Sequence, residues 1–356
     1  MPRAAFYAPM KSPNSPVPSG DREMARNLMR VLERAGFTPD LVSELRVYDK
    51  IGDTTQQTLL RAEARDEAAR LVRDLPNETA IWVTYHSYYK SPDLLGPVVS
   101  RGRGIPYVQI ESTRANSRLS GPWAGFAQAA HRASDAADAI FYLTANDLIT
   151  LERERFGNQK LVHLPPFLPD DTLPPAAALD GPMLTAAMMR AGDKLASYTI
   201  IAETLALLEG DWQLHIAGDG PARPQVEALM APFGDKVRFL GQLDPETMRG
   251  TYQRAALFFW PGVNEAFGMV YLEAQAAGLP VVAQNRPGTR DILLPAEYPD
   301  PGDGPQALAL RINQLRDTPA MRRDLGAQAR AMIARTNLLP SAAASLRETL
   351  DHLVKG

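Results

Sequence analysis

Short apolar runs alternate with longer helical patterns from one end of the chain to the other. That alternation restricts the fold to repeated βαβ units around parallel sheets, an α/β architecture. In the first half the predicted strands are Ala4 to Ala8, Asp40 to Ser43, Ala80 to Tyr85, Tyr107 to Ile110, Ala139 to Leu143 and Leu161 to Leu164, rich in β-branched and aromatic residues. Between them lie helical patterns such as Arg22 to Ala35, with Gly36 as its C-terminal stop, and Thr58 to Asp74. Six strands complete one Rossmann-like domain.

The stretch Leu164 to Pro182 contains Pro165, Pro166, Pro169, Pro174, Pro175 and Pro182, sustains neither helix nor central strand, and reads as a linker. Alternation then resumes, with strands predicted at Leu184 to Met188, Gln213 to Ala217, Val237 to Leu240, Leu257 to Trp260 and Pro280 to Ala283. Helices are predicted at Leu195 to Glu209, Ala222 to Ala231, Met269 to Ala277, Pro305 to Arg316 and Pro319 to Ala334. A length of 356 residues suits two domains of similar size. The expected division is 1–170, 171–338 and a terminal helix within 339–356.

With 38 Lys and Arg against 41 Asp and Glu, the net charge of −3 supplies no global field for a polyanion, so nucleic acid is not an expected partner. The absence of cysteine excludes a disulfide framework, a thiolate zinc site and a cysteine nucleophile. Met1 to Met10 lacks the pattern of a secretory signal, and no run of apolar residues is long enough to span a bilayer. The expectation is a cytoplasmic protein. His131, His163, His215 and His352 show no metal-ligand spacing, and no metal or cofactor is expected.

The most informative segment, Phe258 to Ile292, reads FFWPGVNEAFGMVYLEAQAAGLPVVAQNRPGTRDI: a strand, a loop, a helix, a glycine turn and another strand. Glu265 stands in the loop, and Gly268 opens the helix, whose first amides point back at that loop and suit a phosphate. Glu273 falls mid-helix, where a carboxylate needs solvent, a cation or hydroxyl groups; a sugar or ribose diol would supply the last. Immediately after the first strand of the second half, Arg190 and Lys194 flank a loop entering a helix, placed for both cations to converge on one diphosphate. Fixed positive charge there would stabilise a departing nucleotide.

This segment resembles the family-4 retaining glycosyltransferases, whose signature is a pair of glutamates separated by seven residues in such a strand, loop and helix. The resemblance extends over the chain, with its specific motifs in the second half. It implies a GT-B fold, two Rossmann-like domains facing across a cleft, with the terminal helix near Ser341 to Val354 crossing back to the first. It implies that Glu265 contacts the transferred sugar, Glu273 the ribose, and the backbone of Ala266, Phe267, Gly268 and Met269 the sugar and distal phosphate. Arg190 and Lys194 would bind the diphosphate without a metal. Gly218, in Gly218-Asp219-Gly220, and Leu240, in Phe239-Leu240-Gly241, would lie near the donor and its base, at the strand ends where open α/β sheets bind ligands.

In the first half, Gly20 and Asp21 lie at the entrance of the first helix. There the resembled family carries a glycine loop facing the donor phosphates; an N-cap is the other reading. Glu111 stands where many family members place a histidine, and His86 ends the third strand. Arg22, Arg26, Arg30 and Arg34 form a basic stripe opposite Met24, Leu28 and Val31, read as a solvated helix face or as a peripheral contact with an anionic membrane holding a lipid acceptor.

The resulting expectation is retaining transfer of a hexose-type sugar from a nucleotide diphosphate sugar, a UDP-sugar by default, to a hydroxyl of a glycan or lipid acceptor. The rivals are a GT-B nucleotide-sugar epimerase or phosphorylase and a catalytically silent glycan-binding subunit. A dinucleotide-dependent dehydrogenase is disfavoured, because neither half begins with the Gly-x-Gly-x-x-Gly turn.

Overall fold

The computed structural model describes residues 1–17 and 19–355. The chain forms two compact units, Met1–Pro165 with Leu339–Gly356, and Pro166–Leu338. The division falls within the proline-rich stretch but earlier than expected. Leu168 already bridges to Leu338, its amide donating to Asn337 O at 2.8 Å, and Asn337 Nδ2 donates to Pro166 O at 2.8 Å, so residues 166–170 belong to the second unit.

The first unit is built on a parallel six-stranded sheet of β1 (Arg3–Tyr7), β2 (Thr38–Ser43), β3 (Thr79–Ser87), β4 (Tyr107–Ser112), β5 (Ala139–Tyr142) and β6 (Lys160–His163), in the order β2-β1-β3-β4-β5-β6. Its helices are α1 (Gly20–Arg34), α2 (Thr54–Asp74), α3 (Gly96–Arg103), α4 (Ala124–Ala136) and α5 (Ala145–Arg153). The second unit has a parallel five-stranded sheet of β7 (Met183–Ala186), β8 (Leu214–Ala217), β9 (Val237–Gly241), β10 (Leu257–Phe259) and β11 (Val281–Val282), in the order β11-β10-β7-β8-β9. Around it run α6 (Asp193–Leu205), α7 (Arg223–Met230), α8 (Pro245–Gln253), α9 (Met269–Ala276), α10 (Gly304–Asp317) and α11 (Pro319–Thr336). The final helix, α12 (Leu339–Lys355), returns to the first unit and packs on α1, where Arg347 Nε donates to Ala35 O at 2.8 Å.

The strands of the described residues overlap the predicted apolar runs; central strands such as β4, β5 and β7 are largely buried and read as such runs, whereas the edge strands β2, β6 and β9 are only partly buried. α1 shows how locally the rest is encoded. Met24, Leu28 and Val31 are buried, Ser19 caps the first turn by accepting from the Arg22 amide at 3.2 Å, and Phe37 N to Leu32 O with Gly36 N to Glu33 O close a Schellman motif at the other end. The cap is therefore Ser19, and Gly20 lies inside the helix. Members of the arginine stripe are engaged within the protein: Arg22 donates to Ser15 O at 3.2 Å and Arg26 to Pro13 O at 2.8 Å, fastening the preceding loop. Among the described residues, no helix is long and apolar enough to cross a membrane.

Candidate functional site

The second unit gathers its chemistry at the C-terminal ends of β7 and β10, the edge at which parallel sheets expose loop amides and helix starts. Beyond β10 the chain turns at Trp260-Pro261-Gly262 and carries Glu265 back over the sheet. Two hydrogen bonds hold this turn against the first turns of α6: Val263 N to Ser197 Oγ at 3.1 Å, and Asn264 Nδ2 to Asp193 Oδ1 at 2.9 Å. The Lys194 ammonium consequently meets the Glu265 carboxylate directly. That carboxylate also accepts from Trp260 Nε1 at 2.9 Å, and Lys194 Nζ stands 5.4 Å from the centre of the Trp260 ring. Trp260 itself is fully buried, with its carbonyl accepting from the Tyr271 hydroxyl at 2.8 Å. A rigid indole thus fixes both members of the ion pair.

Gly268 occupies the position before α9 with φ 68°, in the left-handed region, and a side chain there would press on the Tyr271 ring at 2.9 Å. The turn brings the backbone close to Glu265, whose Cγ lies 3.7 Å from the point a Cβ at 268 would occupy. Among the described residues the amides of Ala266, Phe267, Gly268 and Met269 donate to no protein acceptor. Four unsatisfied N–H groups at a helix start, beside an ammonium and a carboxylate, can hold an anion and the hydroxyls attached to it.

Other expected residues fall differently. Arg190 is exposed, and its guanidinium has no partner among the described residues. Gly218 lies beyond β8, its amide donating to Gly241 O at 2.7 Å, while Met189 N donates to Asp219 O at 2.9 Å, so this turn ties together the loops that follow β7, β8 and β9. Leu240, expected near the base, lies within β9 and lines a cavity with Leu184, His215 and Arg254, because alternation along the strand turns its side chain onto one face of the sheet.

Glu273 is separated from Glu265 in its surroundings as well as in sequence. Its carboxylate accepts from the Tyr252 hydroxyl at 2.8 Å and lines a cavity of about 450 Å³ with Asp170, Arg249 and the Pro169 to Pro175 segment. The requirement for a hydroxyl partner is met inside the protein, by a tyrosine of α8. Burial raises the Glu273 carboxyl above its ordinary value, only partly offset by the Tyr252 hydrogen bond. A carboxyl raised on folding stabilises the native state while protonated. That stabilisation is complete below the unfolded value of about 4.3 and is lost as pH rises through the folded value. Wild-type melting temperature should therefore fall across this window, whereas Glu273→Gln, which still accepts from Tyr252, should lack that fall. Identical pH profiles in thermal melts of the two proteins would refute the assignment.

In the first unit, three ionisable groups converge at the ends of β3 and β4. His86 and Glu111 have φ of 63° and 58°, a strained conformation for non-glycine residues. His86 Nδ1 lies 3.2 Å from Asp21 Oδ1 at the start of α1. Burial lowers the imidazole pKa, but the carboxylates of Glu111 and Asp21 outweigh it and hold His86 above its ordinary value. Burial raises Glu111, partly offset by His86. Sequence reasoning singled out His86 and Glu111 separately and missed their union with Asp21. It also missed Trp260, Ser197 and Asn264 as supports of Lys194 and Glu265; their polar atoms carry no periodic signal.

Residues 193–332, spanning α6 through most of α11, match the family model described as Glycosyl transferases group 1. The chain is 34% identical over 131 residues, 35% of its length and 34% of the relative's, to a GDP-mannose-dependent monoacylated alpha-(1-6)-phosphatidylinositol monomannoside mannosyltransferase of Corynebacterium glutamicum. It is 32% identical over 112 residues, 30% of its length and 29% of the relative's, to a 2-deoxystreptamine N-acetyl-D-glucosaminyltransferase of Niallia circulans. The chain thus covers about a third of the length of these curated relatives. Among solved structures, sucrose-phosphate synthase from Thermosynechococcus elongatus superposes with a TM-score of 0.73 at 19% identity over 99% of both chains. Anabaena HepE in complex with UDP does so with a TM-score of 0.73 at 16% identity, over 99% of this chain and 100% of HepE. At these identities the likeness establishes the fold, which is GT-B.

Proposed function

We propose that the chain is a retaining glycosyltransferase that moves a hexose-type sugar from a nucleotide diphosphate sugar to a hydroxyl of a glycan or lipid acceptor. The coarser part of this reading, a glycosyltransferase of GT-B fold, is supported by the family match over residues 193–332 and by the named relatives. The observation that carries the finer part is the grouping of Lys194, Glu265 and the four free amides of residues 266–269 at one helix start. In the proposed reaction the amides and Lys194 take the diphosphate, with Arg190 as a second cation, and Glu265 releases Lys194 to accept from sugar hydroxyls. Glu273 and Gly218 serve the nucleoside. The bond between the anomeric carbon and the phosphate oxygen breaks, and charge grows on the leaving nucleoside diphosphate, where fixed cations and amides stabilise it. The acceptor oxygen bonds to the anomeric carbon on the same face, and its proton passes to the departing phosphate. No metal is assigned a part.

HepE, one of the solved relatives in fold, was crystallised with UDP, and the mannosyltransferase relative uses GDP-mannose by name, so UDP-sugars and GDP-sugars are the first donors to test. The purified chain, incubated with each donor and with glycan or lipid acceptors, should give a glycoside whose anomeric proton coupling matches that of the donor. An inverted product would overturn retention. Release of free sugar alone with every acceptor would point to a different reaction.

A further inference from the structure

A second basic constellation lies in the same unit, apart from Lys194 and the helix start of α9. On one face of the second sheet, Leu184 of β7, His215 of β8 and Arg238 of β9 stand in register in a single row, running from the buried centre of the sheet to its edge. Arg254, which follows α8, faces the same place. Together with Phe239 and Ala255 these residues line a cavity of about 510 Å³. The charged groups acting on His215 are Arg238 and Arg254, both cations, and no carboxylate is among them.

Several other arginines of the second unit are engaged with acids or carbonyls, though among the described residues Arg190 is not. Arg223 is paired with Asp219 and Glu227, Arg249 with Asp170, and Arg322 and Arg330 with backbone carbonyls. The side chains of Arg238 and Arg254 have no hydrogen bond or ion pair among the described residues. Two unpaired guanidinium groups stand at the rim of this cavity, and burial together with their charge lowers the His215 pKa, so that the imidazole between them is held toward its neutral form. Guanidinium is also the side chain best matched to a tetrahedral oxyanion, which it holds through paired N–H groups.

We propose that this cavity binds a phosphate group, and that its apolar lining of Leu184, Leu240, Leu243 and Ala255 selects a phosphate monoester with an apolar body over the free ion. Arg238 and Arg254 hold the phosphate oxygens, His215 donates a further hydrogen bond, and the apolar part lies on the sheet. Of the residues assigned to the nucleotide sugar, Leu240 lines this cavity, whereas Arg190, Lys194, Glu265 and residues 266–269 do not.

The test uses the purified full chain, with the His215 ring protons assigned by comparison with His215→Asn. Phenyl phosphate should shift the His215 resonance saturably, inorganic phosphate should do so more weakly, and phenol should not shift it. Each of Arg238→Gln and Arg254→Gln should weaken phenyl phosphate about tenfold, as expected for losing a charge-assisted hydrogen bond. Both arginines are exposed, so the variants should keep the wild-type circular dichroism spectrum and melting temperature. No saturable shift, or an equal affinity in the arginine variants, would overturn the site. Equal affinity for inorganic phosphate and phenyl phosphate would overturn the selection for an ester.

Discussion

Alanine at position 194 should lower kcat about 10²- to 10³-fold, the effect typical of removing one fixed donor from a charge-stabilising site. Without donor, the Lys194 ammonium neutralises Glu265 and rests over the Trp260 ring. In the proposed reaction the same ammonium would face the charge growing on the leaving group, so its contribution would be larger in the transition state than in the ground state. KM for the donor should change less than kcat, because the amides of residues 266–269 continue to hold the phosphate. Removing the lysine also leaves the Glu265 carboxylate, 11% exposed, with only the Trp260 indole as partner, at some cost in stability. Lys194→Ala combined with Glu265→Gln separates the two effects. The double variant should regain the lost melting temperature while turnover stays low. A folded Lys194→Ala protein with wild-type kcat would remove the basis of the proposed mechanism.

The largest structural effect is expected from Gly218→Ala, a loss of about 3 kcal/mol, in the upper range for a single substitution. Gly218 has φ 132°, which an L side chain rarely adopts, and an added Cβ would overlap the Ala187 carbonyl oxygen. That carbonyl accepts from the Tyr198 hydroxyl at 3.1 Å, and the chain beyond it carries Arg190 and Lys194. The clash therefore strains the turn joining the loops after β7, β8 and β9, and reaches both cations. Gly20→Ala is the control. Nothing lies within 4 Å of a Cβ there, and the residue sits in the first turn of α1, so the change should be under about 1 kcal/mol. Urea denaturation of the two variants should show this contrast; equal midpoints would show that the turn after β8 tolerates a side chain.

The two predictions differ in how far they were legible in the sequence. Lys194 and Glu265 were each identifiable, one by its loop after the first strand of the second half and the other by its place before Gly268. Their direct pairing was not, because they lie 71 residues apart and meet only through the turn that Ser197 and Asn264 hold down. For Glu273 the sequence left solvent, a cation or the hydroxyls of a sugar or ribose as partners, and the structure adds a hydrogen bond from Tyr252 that no local pattern announced. Leu240 lies in the predicted strand, and only the sheet shows that it shares a cavity with Leu184 and His215, since a short apolar run does not say which side chain faces which layer. His86 and Glu111 looked unrelated until β3 and β4 paired and Asp21 of α1 came beside them.

The N-cap Ser19 came from the structure, whereas from the sequence alone came the α/β class, the strands, the glycine that stops α1 and the segment proposed to carry the chemistry. Each of these is set by neighbours within a few residues, through burial periodicity, proline and glycine geometry and helix-end hydrogen bonding. Tertiary structure alone decided which groups meet: Lys194 with Glu265, Asp21 with His86, and His215 with Arg238 and Arg254. Electrostatic interaction depends on distance in space, and in a parallel sheet that distance is set by crossovers that bring strand ends together from remote parts of the chain.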